Sequence, residues 1–135
     1  MFIDEYKKVA KEAGKEPYVI MGRDGWLAKN KETAEKEAKY IFSTFIYYWK
    51  GGGVLDLPSN IKKEEDITLD IMAQDRWLFG SADDGIATVE RLEKEYDVDE
   101  VLICLRQTDG NPPHREVLKQ IKFWGEKVIP YFKEK

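Results

Sequence analysis

The sequence holds one cysteine, one histidine and five prolines in 135 residues, and each scarcity excludes something. A single cysteine, Cys104, rules out an internal disulfide. A single histidine, His114, without clustered cysteine or carboxylate ligands gives no metal-site signature. Nor does any spacing argue for a Ser/His/Asp triad or a Cys/His pair. No apolar run approaches the ~20 residues needed to span a bilayer. No charged segment followed by an apolar stretch and a small-residue cleavage site opens the chain, so the cytoplasm is the expected location. A basic surplus is missing as well. The net charge is −4, and Lys62-Lys63 is answered at once by Glu64-Glu65-Asp66. Without a basic stripe, nucleic acid is not an expected partner.

What is present argues for a folded chain. Hydrophobic residues make up 42% and aromatics 13%, which places the sequence outside the disordered class. Its length suits a single domain with one core. No internal repeat, low-complexity tract or linker divides it.

Periodicity gives the elements. Phe2 to Ala13 reads as a helix with Phe2, Tyr6, Val9 and Ala13 on one stripe, stopped by Gly14. Tyr18 to Ala28 reads as a strand. Asn30 then caps a long helix in which Ala34, Ala38, Ile41, Phe45 and Tyr48 repeat at helical spacing, widened by Phe42, Ile46 and Trp49. Gly51-Gly52-Gly53 ends it, and no Gly-Lys-Ser/Thr follows to make a phosphate loop. Val54 to Asn60 reads as a loop, and Ile61 to Gln74 as a helix capped by Ser59 or Asn60 with Ile67, Ile71 and Met72 inward.

The tail from Arg76 to Tyr131 alternates strand and helix. Arg76 to Phe79 forms a strand, Gly80-Ser81 a turn, and Asp83 to Tyr96 a helix facing Ile86, Val89, Leu92 and Tyr96 inward. Ser81 and Asp84 have the spacing of a capping box. Glu100 to Gln107 forms the next strand, which buries Cys104 as a small core hydrophobe. A final helix places Val117, Leu118, Ile121, Trp124 and Val128 inward and ends at Pro130. Such alternation implies βαβ units, an α/β class and a parallel sheet, with function at the carboxyl ends of the strands.

Several of these segments together resemble the flavin-dependent luciferase-like monooxygenases. They are the Gly80-Ser81 turn with its acidic helix start, the strand running into Leu105-Arg106-Gln107 and the loop Gly110-Asn111-Pro112-Pro113-His114. Phe123-Trp124-Gly125-Glu126-Lys127-Val128-Ile129-Pro130 and, upstream, Arg23 to Ala28 with Lys31-Glu32-Thr33-Ala34 belong to the same resemblance. Ala82 stands where that family commonly has proline, which leaves the first helical turn less pre-organised. The resemblance covers most of this chain but only the carboxyl-terminal part of such an enzyme. It implies a partial (β/α)8 (TIM-type) barrel segment of about three parallel strands. It also implies reduced FMN, or a deazaflavin, inserting one atom of dioxygen into a small organic substrate. The earlier strands that carry most flavin contacts in the family are not in this sequence, so the cofactor itself can be absent from the chain alone.

Three parallel strands leave two unpaired edges and an incompletely covered face. The expected remedy is a homo-oligomer or a separate chain supplying the missing strands. A non-catalytic, self-associating subunit without flavin stands beside the enzyme reading.

Candidate site residues follow from position. Arg106 and Gln107 fall at the carboxyl end of the last strand; Arg106 can clamp an anionic substrate or pair with Asp109 or Glu100. His114 is a substrate-side candidate or a polar helix start. Trp26 can stack on a flavin or fill the core, and Ser81 can meet a cofactor phosphate or simply cap its helix.

Overall fold

The computed structural model describes residues 2–52, 61–75, 77–105 and 112–134. Helix α1 (Phe2–Glu12) precedes β1 (Ile20–Leu27). Helices α2 (Lys31–Glu37), α3 (Lys39–Lys50) and α4 (Leu69–Asp75) lead to β2 (Leu78–Gly80). Then come α5 (Ala82–Tyr96), β3 (Glu100–Cys104), α6 (His114–Lys127) and α7 (Ile129–Lys133). All three strands run parallel in the order β2-β1-β3. The fold is α/β, a parallel sheet with flanking helices of the kind a partial TIM-type barrel presents.

The first strand is therefore the centre of the sheet. β3 pairs along most of β1, from Ile20 opposite Glu100 to Asp24 opposite Cys104. β2 meets only its carboxyl end, with Leu27 opposite Gly80. Two hydrophobic clusters lie on opposite faces of this sheet, because successive strand residues point to opposite sides. Met21 and Leu27 of β1 join Leu78, Val89, Leu92, Trp124 and Val128 beneath α5 and α6. Trp26 instead joins Ala34, Ile41, Met72, Trp77 and Phe79 beneath α2 to α4. Fully buried Leu27, Leu78 and Leu92 each contribute about 1.5–3 kcal/mol by leaving water. The broad aromatic face of α3 finds its partner in Trp77, edge-on to Phe42 at 6.0 Å and to Phe45 at 5.5 Å.

Several expectations change. The long helix after Asn30 is split at Ala38, although Asn30 does cap it, accepting from Thr33 N at 2.9 Å. The expected helix over Ile61 to Gln74 shrinks to a 3₁₀ turn at Glu64–Asp66 followed by α4, whose cap is Thr68. Asp66 accepts from the amides of Lys62 and Lys63 and so stabilises a tight turn where a continuous helix was expected. Pro130 does not end the last helix but sits in the first turn of α7, where its missing N–H costs nothing.

The exposed apolar residues are the larger correction. Cys104 is exposed because it shares a face of β3 with Glu100 and Leu102, opposite the face that Val101 and Ile103 pack against the α5–α6 cluster, and that outer face is left uncovered at Leu102 as well. Leu118 and Ile121 of α6 and the stripe Phe2, Tyr6 and Val9 of α1 are likewise exposed. Periodicity identified these stripes but not whether anything would cover them. No helix among the described residues is long and apolar enough to cross a membrane.

Candidate active-site rim

The carboxyl ends of β1 and β2 meet at one rim, where Ala28 N donates to Gly80 O at 2.8 Å. Gly80 takes φ of 128°, a backbone region that side chains rarely tolerate, and this turns the chain from β2 into α5. Ser81 then caps α5 as its spacing predicts. Asp84 N donates to Ser81 Oγ at 3.2 Å, while Ser81 N and Ser81 Oγ each donate to Asp84 Oδ2 at 2.7 Å. These bonds hold the Asp84 carboxyl below its ordinary pKa, since they favour the ionised form. They also occupy the Ser81 amide and hydroxyl.

Trp26, the penultimate residue of β1, is 2% exposed. Its Nε1 donates to Glu37 Oε2 at 3.0 Å, so the indole is fixed in the core. It backs a cleft of about 600 Å³ whose walls carry Lys36, Lys39, Pro113, Arg115 and Glu116. The start of α6 therefore faces the end of β1 across this cleft. His114, exposed, is the first residue of that helix. A second hollow of about 500 Å³ lies between α2, α4 and α5, lined by Lys31, Asp70, Phe79, Asp84 and Arg91. Lys31 and Asp70 are ion-paired across it, which pushes the Lys31 pKa up. Arg106 and Gln107 lie outside the described residues.

The structure thus gathers Trp26, Ser81 and the His114 helix start around one strand-end rim. Two features escaped the sequence reading. The cations of the cleft, Lys36, Lys39 and Arg115, read as ordinary solvated charges because nothing local shows that α2 and α6 converge. Gln120 was also missed. It is 4% exposed and bonds to Leu27, with Leu27 N donating to Oε1 at 3.1 Å and Nε2 donating to Leu27 O at 2.6 Å. Its signal was available: Gln120 interrupts an inward spacing of Val117, Trp124 and Val128 with a polar side chain. Among the described residues, no group of three or more His, Cys, Asp or Glu side chains is placed to hold a metal ion.

The described rim residues do not by themselves form a flavin site. The cleft lining mixes Lys36, Lys39 and Arg115 with Glu37 and Glu116, and Lys36 pairs with Glu32 and Arg115 with Glu116, so an anionic group would have to compete with these carboxylates. The described residues do not enclose a flavin ring, because the indole of Trp26 is buried and the donors of Ser81 are engaged.

No family model matches this sequence, and no curated protein matches it. Solved structures do resemble it. One is the oxygenating constituent of 3,6-diketocamphane monooxygenase from the CAM plasmid of Pseudomonas putida, a type II Baeyer–Villiger monooxygenase in complex with FMN. It superposes with a TM-score of 0.64 at 16% identity over 94% of this chain and 38% of that one. Another is the monooxygenase RslO1 from Streptomyces bottropensis, with a TM-score of 0.69 at 19% identity over 96% and 36%. Likeness at such identity establishes the fold. The chain spans little more than a third of these structures' lengths.

Proposed function

We propose that this chain forms the carboxyl-terminal part, or a subunit, of a flavin-dependent monooxygenase of the luciferase-like type. Such an enzyme inserts an oxygen atom from dioxygen into a small organic substrate. The observation that carries this reading is the superposition of nearly the whole chain on an FMN-bound monooxygenase, with a cleft of mixed charge at the strand-end rim. When bound, reduced flavin supplies the electrons that activate dioxygen. This chain's residues would do the rest of the work at the rim. Lys39 and Arg115 would hold an anionic group of substrate or cofactor. Trp26 would back the cleft and keep water from that side, and Ser81 would fix the β2–α5 turn beside it. Arg106, Gln107 and His114 would complete the substrate side. The missing strands would come from another polypeptide, either a separate chain or a second copy.

The alternative, a non-catalytic self-associating subunit, is favoured by one observation. The two residues nominated for flavin contact spend their polar groups inside the fold, Trp26 on Glu37 and Ser81 on Asp84. Titrating the purified protein with FMN separates the two. Uptake at micromolar concentration, with bound absorbance near ~450 nm, supports the enzyme reading. A colourless protein that takes up no added FMN sinks it for this chain.

A further inference from the structure

We draw no further inference here: the strongest candidate, the apolar groove of about 470 Å³ beside β3, α6 and α7 that Leu102, Ile121 and Ile129 border, is an unpartnered face, and nothing in the structure shows what covers it.

Discussion

Gln120 of α6 grips both main-chain groups of Leu27, the last residue of the central strand. A buried amide side chain here does what a neighbouring strand would do, satisfying an N–H and a C=O just where β1 leaves the sheet. It also locks α6 to the rim, since the helix start that walls the cleft lies two turns before it.

Gln120→Leu preserves bulk and removes both partners. Two buried main-chain groups would then lack bonds, at about 1–3 kcal/mol each. Urea unfolding should show a loss of ~2–4 kcal/mol, among the larger single-residue effects in this chain. A loss below ~0.5 kcal/mol would mean that the two groups find other partners when the amide is gone.

Glycines at the rim give a second test. A Cβ on Gly85 would stand 2.5 Å from Leu27 Cδ1, in a cluster where Leu27 is fully buried. A Cβ on Gly80 would stand 2.5 Å from Asp84 Oδ2 while φ is 128°. Gly85→Ala should destabilise by ~1–3 kcal/mol through overpacking alone. Gly80→Ala adds backbone strain and displaces the Asp84 carboxylate, so its loss of melting temperature should be the greater of the two.

These residues also show where sequence reading reaches its limit. The Ser81 and Asp84 cap was legible because both partners lie within four residues and their spacing is the signal. The parallel strands and most inward positions were legible for the same reason, as short-period patterns. The order β2-β1-β3 was not, because pairing partners are chosen by contacts far apart in the chain. Leu118 and Ile121 carry the same helical pattern as Trp124, yet only Trp124 meets the sheet. Cys104 looked like core because its strand is apolar, but it lies on the face of β3 opposite the packed Val101 and Ile103, and the sequence does not show which of the two faces is covered.

Acid should act on the rim through Asp84. Its folded-state pKa is depressed by the bonds from Ser81, so its contribution to stability is fully present above the unfolded value of ~3.9. That contribution is lost as pH falls through the lower folded value. Asp84→Asn should flatten the stability-versus-pH curve on the acid side, leaving the variant closer to the wild type at pH 2 than at pH 6. Ser81→Ala should cost about 1 kcal/mol near neutrality by removing the cap and flatten the same limb. A wild-type acid limb unchanged in both variants would show that other carboxylates govern it.

The last prediction concerns Arg106, which follows Leu105 at the carboxyl side of β3. A guanidinium there would present a planar fork to a carboxylate, sulfonate or phosphate, and two parallel bonds give it more than charge alone. Arg106→Ala should weaken binding of a small anionic substrate by ~10-fold or more while shifting the melting temperature by no more than ~1–2 °C. Arg106→Lys should fall between the two, because it keeps the charge and loses the fork. Calorimetric titration beside thermal unfolding reads both quantities. If R106A instead lowers the melting temperature steeply and leaves anion binding unchanged, the arginine holds the fold, and the cations of the cleft must carry the anion by themselves.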